Sequence, residues 1–257
     1  EFLSDPRVLD INPLVRFLLL HCIILRKRPA ESAAAYRKIW TERGSPLFFH
    51  GADLVDKVRR HQGGDALVEL AMRYQNPSIR DVLTGLRDRG VKELVLFPLF
   101  PQYSSAAWGS GVEKFFEEAG RLWDEPSIKV VPPYYDHPDF IEAFCEVARP
   151  VLDDLRPDKV LMSFHGIPQR HVRTVFDGLP ERELLGLDGA GGDHCLQKPD
   201  CCSEICPANR NCYSAHCHAT ARALAARLEL GPEQWEVSFQ SRLGRDPWLV
   251  PYTDFRI

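Results

Sequence analysis

The sequence predicts an α/β fold with a mainly parallel sheet. Short apolar runs typical of strands alternate with segments of helical periodicity along its 257 residues, as expected where crossover helices join parallel strands. A chain of this length buries a sizeable core, in one large domain or in two associated halves. Its formal net charge of −4 gives no support to nucleic-acid binding, which usually shows a basic surplus.

The elements follow one another in a regular order. The strand-like runs are Ala66–Tyr74, Glu93–Phe97, Ile128–Val131, Lys159–Phe164 and Trp235–Gln240. The segments of helical periodicity are Pro77–Arg89, Ala107–Trp123, Asp139–Leu155 and Ala219–Leu230. Asn76 and Pro77 predict the start of the first of these helices, because asparagine caps helices well and proline is favoured at the first helical position.

The longest apolar run, "LVRFLLLHCIIL" from Leu14 to Leu25, has two interpretations. Its twelve residues, interrupted by Arg16 and His21, are too few to cross a bilayer, which needs about twenty. The run is either a buried amphipathic helix or an exposed apolar lip that meets an apolar ligand or a membrane surface. No signal peptide is visible, so we expect a cytoplasmic protein. An exposed apolar lip would let that protein contact a membrane peripherally.

Polar and aromatic residues stand where the strand-like runs end. These endings are Arg73-Tyr74-Gln75, Gln102-Tyr103-Ser104-Ser105, Tyr134-Tyr135-Asp136-His137, His165-Gly166 and Gln240-Ser241-Arg242. In open α/β sheets the ligand cleft lies outside the carboxyl ends of the strands. His165 is the strongest candidate at this edge, since Gly166 and Pro168 predict a tight turn after it and imidazole accepts a proton or binds a metal.

Nucleotide and hydrolase chemistry find no support in the sequence. It contains neither the G-x-x-x-x-G-K-[ST] phosphate loop nor the G-x-S-x-G nucleophile elbow. The glycines of Gly109-Ser110-Gly111 and of the run 189–192 lack the strand–glycine–helix context of a dinucleotide site. We interpret them as turns.

Six of the eight cysteines lie between Cys195 and Cys217. Their spacing, C-x5-C-C-x3-C-x5-C-x4-C, contains no C-x2-C pair and so lacks the usual zinc-knuckle pattern. Thiolates also hold iron–sulfur clusters, whose spacings vary more widely. The spacing alone leaves an iron–sulfur cluster, a zinc ion, and free or disulfide-bonded thiols open.

The runs "EFLSDPRVLD", "AYRKIW", "AMRYQNPS", "FPLFPQYS", "SFHGIP" and "FQSRLGRDPWLVPYTD" resemble ferrochelatases, in order and spacing, over essentially the whole chain. The resemblance implies a lyase that inserts its substrate, ferrous iron, into protoporphyrin IX to make haem without ATP. It also implies two similar Rossmann-like halves, each a parallel sheet flanked by helices, with the active cleft between them. We place the halves at residues 1–124 and 125–257, with a cysteine-rich insertion at about 180–212.

The resemblance also implies roles for single residues. His165 matches the family's active-site histidine, which takes pyrrole protons or handles the iron. The substrate-binding candidates are Arg37, Arg73, Tyr74, Tyr103, Tyr134, His137 and Trp248. Arg37 would meet a propionate at the pocket mouth, and the aromatic residues would line the cleft. The chemistry agrees, because a flat macrocycle needs an apolar cleft with few polar anchors and metallation needs a base near neutral pH.

The cysteine insertion resembles that of bacterial ferrochelatases with an internal 2Fe–2S cluster. The resemblance favours the cluster but leaves the choice among the six clustered cysteines open. We select Cys195, Cys202, Cys206 and Cys212 as its ligands, because Cys217 heads a helix and the adjacent Cys201 and Cys202 do not readily bind the same iron.

The family pattern extends beyond both ends of this sequence. It implies a strand and a glycine-containing turn before "EFLSDP", and a strand, a catalytic glutamate and a closing helix after "PYTD". We therefore expect the sequence to be a fragment of a longer protein.

Three alternatives share part of this reasoning. Coproporphyrin III in place of protoporphyrin IX, or cobalt in place of iron, would use the same base and cleft. A binding module that senses redox state through an iron–sulfur cluster, or that binds haem, belongs to another class. The sensing module would survive replacement of His165 and fail on replacement of Cys202 or Cys212, whereas a chelatase fails directly at His165.

Overall fold

The computed structural model describes residues 2–177, 196, 200–242, 244 and 246–257, without the side chains of Lys27 and of residues 174–177. The chain forms two compact units, one of Glu1–Leu96 and Gly109–Lys129, the other of Phe97–Trp108 and Val130–Ile257. The α/β fold class, with parallel strands flanked by helices, is confirmed. The boundary between halves at residue 124 stays a prediction.

The first unit is mostly helical. Its helices are α1 (Pro13–Leu18), α2 (Leu25–Arg37), α3 (Pro46–Gln62), α4 (Ile79–Asp88) and α5 (Ser110–Ala119), with a 3-10 helix at Phe2–Ser4 and a π-helix at Leu19–Ile24. Strand β1 (Glu93–Leu96) pairs with β2 (Ser127–Val130). The core joins Ile79 and Leu83 of α4 to Phe115 and Ala119 of α5, with β-strand side chains packed against them.

The second unit is built on two parallel strands. Strand β3 (Val160–His165) pairs with β4 (Trp235–Gln240), from Val160 opposite Trp235 to His165 opposite Gln240. The helices are α6 (Pro138–Leu155), α7 (Gln169–Asp177) and α8 (Tyr213–Arg227), with 3-10 helices at Pro232–Gln234 and Thr253–Phe255. A π-helix at Ser105–Gly109 leads into α5. The core packs α8 against both strands and includes Cys212, Cys217 and Leu249.

The predicted strand Ala66–Tyr74 is wrong. This segment makes only an isolated bridge, between Met72 and Ser78. A run of residues becomes a strand only where a second strand completes its hydrogen bonds. Here the Val68 carbonyl instead accepts a hydrogen bond from Arg59 Nε at 2.8 Å.

The predicted cap of the helix that follows is also wrong. Helix α4 begins at Ile79, and Ser78 is its N-cap, with Ser78 Oγ accepting from the Asp81 N–H at 3.1 Å. Asn76 and Pro77 precede the helix. Serine caps a helix as well as asparagine does, and Ser78 stands directly before the first helical residue.

The run Leu14–Leu25 is helical but not buried. Only Leu20 within it is buried, at 5% exposed, whereas Leu14, Phe17 and Ile23 are 66%, 57% and 54% exposed. The interpretation as a buried helix is therefore wrong, and the run forms an exposed apolar face. Among the described residues, none of the helices combines the length and apolarity needed to span a bilayer.

Candidate active site

His165 is the last residue of β3, and a close backbone contact follows it. The Gly166 N–H donates to the Gln240 carbonyl at 2.6 Å. A Cβ atom at Gly166 would lie 3.0 Å from the Ser241 carbonyl oxygen and 3.1 Å from that of Gln240. Only glycine fits this position without displacing backbone, so the glycine of "SFHGIP" sets the geometry of the turn that carries His165.

Trp248 and Leu249 of the run "FQSRLGRDPWLVPYTD", which we call the late motif, pack against the same turn. Pro168 and Trp248 form an antiparallel bridge, and the Leu249 N–H donates to the Ile167 carbonyl at 3.1 Å. Gln169 Nε2 donates to the Trp248 carbonyl at 3.2 Å. Two motifs about 80 residues apart in the chain therefore form one structure, which places Trp248 beside the turn after His165.

The His165 imidazole suits proton transfer near neutral pH. Its side chain is exposed at the end of β3, yet partial burial lowers the pKa of His165 below its usual value. Burial has this effect because it disfavours the charged imidazolium. The imidazole is therefore neutral at pH 7 and can accept a proton.

Tyr103 and Tyr134 lie in the same unit as His165. Tyr103 and Ile167 line one small crevice, together with His171 and Tyr213. The Tyr134 N–H donates to the Pro101 carbonyl at 3.0 Å. These contacts bring Tyr103 close to the His165 turn and bring Tyr134 close to the segment that carries Tyr103.

The ring of Tyr134 is an aromatic packing partner, and His137 is a helix cap. The Tyr134 ring lies 5.1 Å from that of Phe97 and 5.4 Å from that of Phe140, and burial raises the pKa of Tyr134. His137 Nδ1 accepts from the Asp139 N–H at 3.3 Å at the start of α6. The structure thus gives His137 a local structural role, and its substrate role stays a prediction.

Arg73 and Tyr74 converge on one buried carboxylate in the first unit. Arg73 Nη2 donates to Asp5 Oδ2 at 2.7 Å, and the Tyr74 hydroxyl donates to the same oxygen at 2.8 Å. Arg73 Nε donates to the Ser110 hydroxyl at 2.8 Å. The Arg73 guanidinium also lies over the Tyr74 ring, 4.5 Å from its centroid. These contacts hold the Arg73 and Tyr74 side chains in one arrangement.

Asp5 is a residue that sequence reasoning missed. Its side chain is 3% exposed. Burial alone would raise the pKa of Asp5, but hydrogen bonds, the strongest from Ser110, and the Arg73 charge hold that pKa below its usual value. Its position inside "EFLSDPRVLD" was the available signal, although that motif does not reveal which partners the carboxylate meets. Arg37 lies elsewhere in this unit, exposed at the end of α2.

The described part of the cysteine-rich segment folds around a buried asparagine. Asn209 is 0% exposed. Its Oδ1 accepts from the Cys206 N–H at 2.7 Å, and its Nδ2 donates to the carbonyls of Cys201 and Glu204 at 2.9 and 2.7 Å. Three short hydrogen bonds from one side chain fix the loop between Cys201 and Cys212, the N-cap of α8.

The thiols of Cys202 and Cys212 approach each other in this loop. Their hydrogen bond, and to a smaller extent burial, raises the pKa of Cys202 to about 12. The described cysteines are free thiols. Thiols of this kind are the right donors for an iron–sulfur cluster, although no three His, Cys, Asp or Glu side chains of the described ranges are arranged to hold a metal ion. Cys195, one of the four assigned ligands, lies outside the described residues.

Comparison with known proteins identifies the family. The family model described as Ferrochelatase matches residues 1–257. The ferrochelatase of Legionella pneumophila (strain Paris) is 40% identical over 254 residues, covering 99% of this chain and 70% of that protein. The ferrochelatases of Ectopseudomonas mendocina (strain ymp) and Opitutus terrae are each 41% identical, covering 100% of this chain and 71% of each of those proteins. The resemblance found in the motifs is confirmed, and the chain belongs to the ferrochelatase family, enzymes that insert iron into protoporphyrin.

Proposed function

We propose that His165 is the general base of this chain's reaction, the insertion of ferrous iron into protoporphyrin to form haem. The observation that carries the proposal is the imidazole itself, exposed at the carboxyl end of β3 with a lowered pKa. As iron bonds to the pyrrole nitrogens, two N–H protons must leave the macrocycle. A neutral imidazole takes up such a proton and, being exposed, passes it to water before it accepts the next.

The residues around His165 support binding of a flat macrocycle. Trp248 and Tyr103 lie near the His165 turn, and Tyr134 lies near the Tyr103 segment. Aromatic faces of this kind bind a porphyrin through apolar contact. We include Arg73, Tyr74 and His137 as further porphyrin-binding residues, and Arg37 as a partner of a propionate.

Replacing the imidazole tests the role of His165. We expect His165→Ala to lower the rate of iron insertion by at least about 100-fold, the usual contribution of a general base. The rate is followed anaerobically as loss of porphyrin fluorescence on addition of ferrous iron. His61→Ala is the matched control, because His61 is an exposed histidine at the end of α3. Equal rates in His165→Ala and the parent protein would overturn the assignment.

We propose in addition that Cys195, Cys202, Cys206 and Cys212 hold a 2Fe–2S cluster. The proximity of the Cys202 and Cys212 thiols and the fixed loop around Asn209 support this set. The cluster would supply a covalent cross-link to the segment and a one-electron redox centre.

Visible absorption of freshly purified, anaerobic protein tests the cluster. We expect sulfur-to-iron charge-transfer bands in the parent protein, and their loss together with bound iron and sulfide in Cys206→Ser. Cys22→Ser is the control, since Cys22 is an exposed thiol in the π-helix of the first unit. A colourless parent protein without bound sulfide would rule out the cluster.

We also propose that the exposed apolar face of Leu14–Leu25 contacts a membrane surface peripherally. Leu14, Phe17 and Ile23 expose more than half of their surface, and Arg26 and Arg28 follow at the start of α2, also exposed. Exposed apolar side chains next to basic ones favour an interfacial location on anionic lipid. Phe17→Asp should reduce flotation with phosphatidylserine vesicles. Val147→Asp is the control, because Val147 is an exposed apolar residue of α6, and it should leave flotation unchanged. Equal flotation of both variants would contradict the proposal.

A further inference from the structure

One face of α8 carries three polar side chains that bond to segments at the ends of strands. Tyr213, His216 and Thr220 are spaced i, i+3 and i+7, so they lie along one side of the helix. Each makes a hydrogen bond to a residue far away in the chain, and all of these residues belong to the second unit. We call these three side chains the α8 tie residues.

Tyr213 ties α8 to the residue proposed as the base. Its hydroxyl donates to the main-chain carbonyl of His165 at 2.8 Å. The Gly166 N–H of the same peptide group donates to Gln240. The peptide after His165 is therefore held from both sides, by α8 and by β4, and this restricts the direction in which the imidazole leaves the strand.

His216 ties α8 to the segment that carries Tyr103. His216 is 1% exposed, and its Nδ1 accepts from the Tyr103 N–H at 3.0 Å. Because Nδ1 accepts, Nε2 carries the proton and donates to the Arg210 carbonyl at 2.7 Å. The imidazole also stacks on the Tyr135 ring, with centroids 3.8 Å apart and planes 21° apart. One buried ring thus fixes the Tyr103 segment, the Tyr135 segment and the cysteine-rich segment together.

Thr220 also hydrogen-bonds to the Tyr103 segment and to the Tyr135 segment. Its hydroxyl, on a residue 2% exposed, accepts from Gln102 Nε2 at 3.0 Å and donates to the Tyr135 carbonyl at 2.7 Å. The residues it bonds to are the neighbours of Tyr103 and Tyr134 in the sequence. Buried polar groups need hydrogen-bond partners, and the Thr220 hydroxyl finds its partners in segments of the proposed site.

We propose that Tyr213, His216 and Thr220 are positioning residues for iron insertion. Tyr213 holds His165 in its working orientation, while His216 and Thr220 hold the aromatic segments that receive the porphyrin. The proposal rests on the roles proposed above for His165 and Tyr103. Helix α8 starts directly after Cys212. The fold of the cysteine-rich segment therefore also affects the position of α8 and the geometry of the proposed site.

The two kinds of tie predict different kinetic defects. Tyr213→Phe removes one hydroxyl and should lower kcat by about tenfold, as expected for a misplaced catalytic group, with the KM for porphyrin within about twofold of the parent value. Thr220→Val removes the hydroxyl that bonds to the segments of Tyr103 and Tyr135, with almost no change in side-chain volume. It should raise the KM for porphyrin by about fivefold and leave kcat nearly unchanged.

Matched variants separate positioning from loss of stability. Thr220→Ser keeps the hydroxyl and should restore the parent KM. Ser78→Ala removes the capping hydroxyl of α4 and destabilises the protein outside the site, so its kcat and KM should equal those of the parent. His216→Phe keeps the ring stacking but removes both hydrogen bonds; if it folds, its porphyrin dissociation constant, measured by fluorescence titration, should rise with that of Thr220→Val.

The outcomes distinguish this inference from the proposed role of His165. Parent values of kcat and KM in folded Tyr213→Phe and Thr220→Val would overturn the positioning role, whatever His165→Ala does. An equal rise of the KM for porphyrin in Thr220→Val and Thr220→Ser would also overturn it, because the hydroxyl would then be irrelevant. If His165→Ala turns over normally while the KM of Thr220→Val still rises, the role of His165 fails and the tie to the porphyrin-binding segments stands.

Discussion

The space at Gly166 is the residue-scale feature on which the site depends. A Cβ atom there would meet the carbonyl oxygens of Ser241 and Gln240 at 3.0 and 3.1 Å, and the Trp248 ring at 3.5 Å. The first two neighbours are backbone atoms, which cannot rotate away as a flexible side chain would. The missing side chain therefore lets β4, the late motif and the His165 turn meet.

Adding one methyl group at Gly166 should damage both stability and turnover. We expect Gly166→Ala to lower the free energy of unfolding by about 1–3 kcal/mol, the usual cost of overpacking, and to lower iron insertion by at least about tenfold because His165 shifts. Gly85→Ala is the control, since a Cβ atom at Gly85, within α4, meets nothing within 4 Å. That change should stabilise the protein by about 0.5–1 kcal/mol. Chemical unfolding and the porphyrin assay measure both effects, and parent-like behaviour of Gly166→Ala would contradict this reading of the turn.

Helices α4 and α5 are joined by one nearly buried carboxylate. Glu118 of α5, with a side chain 4% exposed, accepts from Arg80 of α4 at 2.8 Å and from Arg121 at 2.8 Å. Lys114 lies 2.6 Å from the same carboxylate. The hydrogen bond from Arg80, with those from the other two cations, overcomes burial and lowers the pKa of Glu118 to about 2.

Neutralising that carboxylate should weaken the packing of the two helices. We expect Glu118→Gln to lower the free energy of unfolding at pH 7 by about 1–2 kcal/mol, because water already screens the exposed cations around it. The folded pKa is depressed, so the parent's advantage should persist above about pH 4.5 and disappear as the pH falls towards 2. Chemical unfolding at several pH values measures it, with exposed Glu233→Gln as the control. Equal stability of Glu118→Gln and the parent at pH 7 would contradict the account.

The strands predicted best from the sequence are those whose hydrogen-bonding partner was also predicted to be a strand. The four strands of the described residues lie within a residue or two of predicted runs, because each is a short apolar segment bounded by turns. Ala66–Tyr74 is a similarly apolar segment, but among the described residues it makes only an isolated bridge and pairs with no strand. Composition reports that a segment can be a strand, and only the tertiary structure decides whether a partner is present.

A buried histidine, His216, links the stability of the protein to pH. Burial lowers the pKa of His216 to about 4, despite its hydrogen bond to Arg210 and the nearby charge of Asp136. In the unfolded chain His216 titrates near 6.5. Between these two pH values the unfolded state binds a proton that the folded state does not, so stability falls as the pH drops through this window.

The pH dependence of unfolding should show this contribution. We expect the parent protein to lose about 3 kcal/mol more than His216→Phe between pH 7 and pH 4, from the difference between the two pKa values. His61→Ala, which removes an exposed histidine, should follow the parent. Denaturant unfolding at pH 7, 5.5 and 4 measures the difference, and parallel curves for the parent and His216→Phe would show that His216 is not titrating in this way.

The sequence located His165 and the aromatic candidates but not the side chains that organise them. His165, Tyr103 and Tyr134 follow from the rule that strand ends carry the site. His216 and Asp5 do not, because their partners lie 113 and 68 residues away in the chain. No local pattern encodes such a pairing.

If neutral His165 accepts the pyrrole protons, the pH profile of kcat/KM for iron insertion must show its titration. The lowered pKa of His165 predicts an acidic limb with an apparent pKa below the 6.5 usual for histidine, since protonation of the imidazole removes the base. The profile is measured anaerobically for the parent protein, His165→Ala and His61→Ala. We expect the limb in the parent and in His61→Ala, and we expect it to be absent from the residual activity of His165→Ala. The same limb at full rate in His165→Ala would contradict this expectation, because another group would then accept the protons.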